Sequence, residues 1–463
     1  MSREPIIVLG AGCAGLAAAW RLQSQGRRVV LIEAEDHVGG LAGGIRIAGN
    51  VYEYGPHIFH TTDARILADI KELMGPDLLP YKRTIQIKFL GNYFQFPLSM
   101  TEVLFKLPTL TVLKAAVSFT YRFIEGALWK PEVETSETVL MRYYGDVLYK
   151  IFFKDYITRV WGIPPSGFSP AFARERIPRF NFVEIIDKMK SLVGRKKKGI
   201  QTSGYVEKVE GELYTTRQGF SMITQRMADR FTQKGGDLRL NATAVRVLRE
   251  GERVTGVVVK AQGREETLSC EGLINTLPIN EAAGAFDPVL SAEALSAAAA
   301  LRFRAIVFVG LKVKRSPVLP ASFMYFREHS FNRITDLSHF SFKIEPPGST
   351  LLVAEVTCDP KRDVVWTDDA AAKDAVLADL LRENVVIKSE VEEMVVFRAK
   401  HAHPMYTLGY EKALAALLAA FGKISNLETA GRQGRFQYVN THVAMKMGYE
   451  AADRLLSRLG AAA

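Results

Sequence analysis

Cysteine, histidine and long apolar runs are all scarce in this 463-residue chain. The three cysteines, Cys13, Cys270 and Cys358, share no spacing. An odd, scattered set argues against a disulfide framework and for a reducing compartment. No apolar run reaches the ~18 residues of a membrane span. Internal repeats and low-complexity linkers are missing too, which leaves solenoids and tethered modules aside. Acidic residues are outnumbered 50 to 60, so the net charge is +10 and the pI near 9.3. That balance fits an anionic partner: a phosphate, a nucleotide, nucleic acid or an acidic membrane face. The one dense basic run, Arg195-Lys196-Lys197-Lys198, reads as a solvated loop. Hydrophobic content of 48% with 24% charged residues is ordinary for a globular enzyme. A chain of this length calls for two or three intertwined domains.

The start of the chain is where information concentrates. Ile6-Ile7-Val8-Leu9 reads as a buried strand. Gly10-Ala11-Gly12-Cys13-Ala14-Gly15 follows at once, then helical spacing over Leu16–Gln25, a stop at Gly26 and a second strand over Arg28–Glu33. Pro5–Trp20 also has the composition of a secretory leader, but the glycine placement favours a retained strand and helix. Gly10 permits the tight turn, Gly12 lets backbone approach a pyrophosphate, and Gly15 lets helix and strand pack closely. The helix N-terminus offers free N–H groups and a positive dipole end to phosphates. Glu33 stands where an acid accepts hydrogen bonds from a ribose. Strand, GxGxxG, helix, strand and acid in order predict an α/β fold with a Rossmann-type dinucleotide domain. No second GxGxxG occurs, which argues against paired FAD and NADPH units. The positive charge is then matched to a small anionic ligand, with no nucleic acid partner.

Beyond Glu33 the chain reads Ala34-Glu35-Asp36-His37-Val38-Gly39-Gly40. Here it resembles the FAD-dependent amine oxidase and protoporphyrinogen oxidase superfamily, in which a downstream Gly-Gly lies against the flavin diphosphate. The resemblance implies FAD, held by Gly10, Gly12, Ala14, Gly15, Glu33, Ala34, Gly39, Gly40 and Leu41, with backbone of Val245 on the adenine. It also implies a discontinuous FAD domain, over residues 1–90, 201–280 and 405–463. A helical substrate region would occupy 91–200, and a substrate-domain sheet with helices 281–404. Helical spacing over Ser221–Gln233, a hairpin near Val254–Lys260 and Glu265–Cys270, and strands near Leu273–Pro278, Ile306–Val313, Ser322–Phe326 and Leu351–Thr357 fill in this outline.

The stretch Glu53-Tyr54-Gly55-Pro56-His57-Ile58-Phe59-His60-Thr61-Thr62-Asp63 holds two of the 8 histidines. HxxH on a helix can bind metal, but Gly-Pro favours a turn, and no further His or Cys cluster supplies ligands. No metal is therefore expected. Core packing and a cofactor pocket remain. GPHIFHT is similar to a signature of UDP-galactopyranose mutases, which implies that Gly55, Pro56 and His57 lie beside the flavin ring.

Other segments carry the same resemblance: Asn92–Ser99, Tyr156–Gly162, Arg176–Asn181, Leu301–Arg304 and Gly431–Asn440. They imply flavin contacts from Gly431, Arg432, Tyr438 and Val439. They imply substrate contacts from Arg159, Trp161, Arg304, Tyr406, Phe436, Tyr438 and Asn440, and catalytic roles for His57 and Arg304. Arginines suit a sugar diphosphate through bidentate hydrogen bonds, and an indole face suits uracil or a sugar ring. Two departures stand out. Phe436 replaces a mutase tyrosine and Asn440 a mutase aspartate. A loop arginine of the mutases has its nearest counterpart in Arg195–Lys198.

The expectation is a redox-neutral pyranose/furanose mutase-type reaction on a nucleotide diphosphate sugar, through N5 of reduced FAD, in the cytoplasm. The alternative is an oxidase or desaturase of a hydrophobic substrate, with peripheral membrane contact. The apolar stretch Val103–Trp129, with its interspersed basic residues, would serve that alternative as an amphipathic membrane helix or would be a buried helix pair. A protein that uses the flavin only for stability or partner binding is the third reading.

Overall fold

In the computed structural model, residues 4–95, 106–129, 131–177 and 212–461 are described. The expected segment Arg195–Lys198, the end of Asn92–Ser99 and most of Arg176–Asn181 lie outside them. Strand β1 (Ile6–Leu9), helix α1 (Cys13–Ser24) and strand β2 (Val29–Ile32) form as the spacing predicts. β1 is wholly buried because it is central in a five-stranded parallel sheet. β2 and Asp237–Arg239 lie on one side of it, Gly272–Asn275 and Leu427–Thr429 on the other. Strands buried on both faces read as unbroken apolar runs, and IIVL and VVLI are such runs. Helix α1 packs Leu16, Ala17, Ala18 and Leu22 into the core beneath the last helix, Thr441–Ala461.

A second, seven-stranded sheet draws on two distant parts of the chain. Its order is Val391–Met405, Arg302–Val313, Thr350–Cys358, Arg333–Asp336, Phe323–Phe326, Ile85–Phe89 and Asn92–Gln95. Strand Ile85–Phe89, which falls inside the first expected domain segment, thus pairs with Phe323–Phe326 in this other sheet. A smaller sheet adds the expected hairpin, Arg253–Ala261 with Arg264–Ser269, beside Ala242–Glu250. Helices α2 (Thr109–Leu128) and α3 (Ser136–Tyr149), with Asp155–Trp161 and Pro170–Arg176, make the helical region. The three cysteines are buried and free, and burial pushes the Cys13 thiol up to about 12, so it carries no reactive thiolate.

The chain crosses between the sheets at the EYGPHIFHTTD stretch. Glu53 closes the strand Asn50–Glu53, 2% exposed, and its Oε1 accepts from the Ser221 N–H at 2.7 Å. Phe59 and Tyr214 exchange backbone hydrogen bonds of 2.9 and 2.8 Å. Asp63 then caps the helix Ala64–Met74, accepting from Arg65 and Ile66. The stretch is an extended, pinned crossing rather than a helix.

Burial pushes the Glu53 carboxyl up to about 8, against the lowering hydrogen bond from Ser221. The folded state then holds a proton that the unfolded chain releases above its ordinary carboxyl range. Glu53 stabilises the fold fully at acid pH, and that stability is lost as pH rises through about 8. From this group wild-type protein is expected to lose stability from about pH 4.5 up to about pH 8, by no more than about 1.4 kcal/mol per pH unit, and little more above that. Glu53→Gln keeps an acceptor for Ser221 and flattens that slope in urea titrations read by fluorescence.

Candidate active site

One cavity of about 460 Å³ runs along the carboxyl ends of β1 and β2 towards the seven-stranded sheet, where open parallel sheets bind ligands. Gly10, Gly12, Ala14, Glu33, Gly39, Gly40 and Leu41 line its near end. The close packing of Gly10 and Gly15 builds that end: a Cβ on Gly15 would stand 1.8 Å from the Gly10 carbonyl oxygen. Gly12 is the N-cap of helix α1 and offers no side-chain cap, so the first N–H groups of the helix are left as donors at the cavity. The Glu33 carboxylate accepts from Ala11 N–H at 2.7 Å and Glu35 N–H at 3.1 Å, with lone pairs left for a hydroxyl. Ala34 and Val245 stand outside the lining. Val245 falls at a register shift in the strand Ala242–Glu250, between the paired Ala244 and Arg246, a bulge that takes its backbone out of the ladder.

Pro56, His57, Arg432, Tyr438, Val439 and Asn440 line the far end, and Gly431 joins the two, since a Cβ there would stand 2.7 Å from that of Ala14. Gly55 lies behind them at φ 100°, where its Cβ would meet Glu355 Oε1 at 2.7 Å and Arg333 Nη2 at 3.2 Å. The loop carrying His57 therefore rests on a cross-strand ion pair. Arg333 Nε reaches Glu355 Oε1 at 2.6 Å and Nη2 reaches Oε2 at 2.9 Å, and the Glu355 side chain is 2% exposed. Burial, then Arg333 and Arg432, depress His57 to about 3, so its imidazole is neutral.

His403 meets Arg432 Nη2 at 2.5 Å through Nδ1, and its imidazole is held well below the usual range by burial and then Arg432. The Tyr438 ring lies between two guanidiniums, Arg176 at 3.6 Å and Arg432 at 3.9 Å from its centroid. The Tyr406 hydroxyl accepts from the Tyr438 backbone N–H at 3.0 Å. With Phe436 it lines a smaller cavity beside Glu175 and Tyr410. Phe436 is fully buried and held at φ 52°, a costly conformation for a bulky residue.

The remaining expected substrate residues are turned into braces. Arg159 donates to the His329 and Phe326 carbonyls at 2.7 and 3.0 Å. Arg304 is buried and donates to Val160 O at 3.0 Å and Thr357 O at 3.4 Å. Together they tie the helix Asp155–Trp161 to the seven-stranded sheet and hold Trp161, whose ring lies 5.5 Å from His403. Neither guanidinium lines the cavity. Arg333, Glu355 and His403 were missed in the sequence. The alternation His401-Ala402-His403 in a strand was the available signal, since it puts both imidazoles on one face. Among the described residues no cluster of three or more His, Cys, Asp and Glu is placed to hold a metal ion.

Residues 179–456 match the profile described as flavin containing amine oxidoreductase, and residues 8–73 match an NAD(P)-binding Rossmann-like domain. The chain belongs to the flavin containing amine oxidoreductase family. It is 28% identical over 215 residues to a probable UDP-galactopyranose mutase of Klebsiella pneumoniae, covering 45% of this chain and 53% of that one. It is 26% identical over 183 residues to a dTDP-fucopyranose mutase of Escherichia coli, covering 38% and 47%. The chain thus spans about half the length of these curated relatives. A crystal structure of reduced UDP-galactopyranose mutase superposes with a TM-score of 0.81 at 18% identity, covering 99% of this chain and 94% of the other. The fold is that of a mutase-like flavoprotein.

The chemistry of the cavity lining suits a flavin cofactor. Buried His57 Nδ1 and Arg432 Nε have no hydrogen-bond partner within the described chain, and uncapped helix N–H groups and an acid stand at the opposite end. Arg333→Met would strand the buried Glu355 and is expected to cost about 3–5 kcal/mol. Adding Glu355→Leu should recover most of it. Urea midpoints of the two variants check both statements.

Proposed function

We propose that this protein is an FAD-dependent enzyme acting on a nucleoside diphosphate sugar, in a redox-neutral reaction of the pyranose/furanose mutase type. The observation that carries the reading is the continuity of one cavity from the α1 N-terminus to His57, Arg432 and Tyr438. The likeness to two nucleotide-sugar mutases supports it.

Gly12 and the first N–H groups of α1 receive the cofactor pyrophosphate. Glu33 accepts a ribose hydroxyl, and the bulge at Val245 offers backbone to the adenine. FAD, when bound and reduced, would supply a nucleophilic ring nitrogen. The chain's part is to position and to stabilise charge. Arg432 and Arg176, on the two faces of Tyr438, place positive charge where a departing diphosphate builds negative charge. Neutral His57 and His403 add hydrogen-bonding capacity without a competing proton. Asn440, in place of an acid, keeps negative charge off this end. Arg304 and Arg159 act through position, by holding Trp161 against His403.

The test is anaerobic. Protein reduced with dithionite is mixed with UDP- and dTDP-sugars, and products are separated by HPLC while the flavin spectrum is followed. A sugar isomer that forms only with reduced flavin, and with no net loss of reducing equivalents, is expected. Arg432→Met should lower that turnover by about 100-fold, the size of one lost charge-stabilising contact. Reduction of the oxidised flavin by a lipophilic substrate, with every nucleotide sugar inert, would sink the proposal and leave an oxidase or desaturase.

A further inference from the structure

Helix α2 packs by one side only. Ala115 is its one buried residue, and Arg122 grips Asp146 of α3 with bonds of 2.9 and 2.7 Å. The other side is apolar and exposed. Leu110, Leu113, Val117, Tyr121, Ile124 and Leu128 are between 53% and 83% exposed. Their spacing of three or four residues places all six within an arc of about 80°. Trp129 follows at 59% exposure, and Leu90 and Tyr93, at 50% and 43%, lie on the hairpin that Lys106 ties to the start of this helix. A soluble monomer rarely shows so long an apolar stripe without a partner.

Charge says what covers it. The exposed positions from 106 to 129 include Lys106 and Lys114 and no carboxylate. Glu125, the one acid of the helix, is partly buried and taken by Arg122. A second copy seated face to face would bury both Lys114 ammonium groups against an apolar seam, with no exposed acid on the helix to receive them. A bilayer surface receives the same set without that cost. Apolar side chains enter the acyl boundary, the Lys114 ammonium at the margin reaches lipid phosphates, and Trp and Tyr suit the headgroup level. The net charge of +10 adds long-range attraction to anionic lipid. No described helix is long and apolar enough to cross a membrane, so the helix would lie in the surface plane.

We propose that the outer face of α2, with the Leu90–Tyr93 hairpin, is a docking surface for an anionic phospholipid bilayer. It is independent of the reaction proposed above.

Full-length, flavin-loaded protein is sedimented with sucrose-filled vesicles of phosphatidylcholine, alone or mixed with phosphatidylglycerol. Binding to the mixed vesicles, weakened by salt, is expected. Leu113→Asp with Val117→Asp should reduce the partition at least about tenfold, and Lys114→Glu should reduce it by about fivefold on anionic vesicles. All these positions are exposed, and unchanged flavin absorbance and thermal midpoint verify folding. Wild-type protein that stays in the supernatant with both vesicle types overturns the proposal. So does a dimer seen by light scattering that the double aspartate variant dissociates while vesicles bind neither form. Equal binding to neutral vesicles overturns the anionic specificity.

Discussion

The bidentate pair of Arg333 and Glu355 is the constraint on which the site depends. It lies in the seven-stranded sheet, yet it supports a loop that belongs in sequence to the dinucleotide end. Gly55 has no Cβ, so the loop settles directly on the pair and delivers Pro56 and His57 to the cavity wall. A buried ion pair is weak as a source of stability, but breaking it is costly. It therefore fixes one arrangement of the two sheets more than it adds to their cohesion. Glu53 at the α-helix Ser221–Gln233 and the Phe59–Tyr214 exchange fix the same crossing from the other side.

From that junction follows the electrostatic character of the far end. Arg333, Arg432 and Arg176 converge there, and two imidazoles between them are neutral through burial and like charge. Among the described residues the cations at this end outnumber the carboxylates beside them, which suits a ligand that brings or develops negative charge. The near end works by a different means. It uses oriented backbone N–H groups, with one acid for a hydroxyl. A single ligand with an adenosine diphosphate at one end and a redox ring at the other matches both.

The near end was legible in the sequence because its determinants are local. Strand, turn, helix and acid all fall within Ile6–Glu33, and glycine spacing states where backbone must approach a ligand. The hairpin Arg253–Ala261 with Arg264–Ser269 and the helix Ser221–Gln233 were legible for the same reason. The far end was legible by residue type but not by direction. Arg159 and Arg304 have the chemistry of phosphate ligands, but the backbone carbonyls of Phe326, His329, Val160 and Thr357 accept from their N–H groups. Arg333 and Glu355 pair only through strand register across 22 residues of sequence, which no local pattern announces. For Val103–Trp129, an amphipathic surface and a buried pair fit the same periodicity. Helix α2 packs on α3 by one side and leaves the other exposed.

The central claim is that the cavity grips a flavin by its adenosine diphosphate end. Flavin-stripped protein titrated with FAD, FMN and riboflavin, with binding read from flavin fluorescence quenching, tests it most directly. The account predicts one FAD per chain, with FMN and riboflavin bound weaker by about 1000-fold or more, because the α1 N-terminus and Glu33 would have nothing to hold. FMN binding as tightly as FAD, or no flavin binding at all, would contradict it.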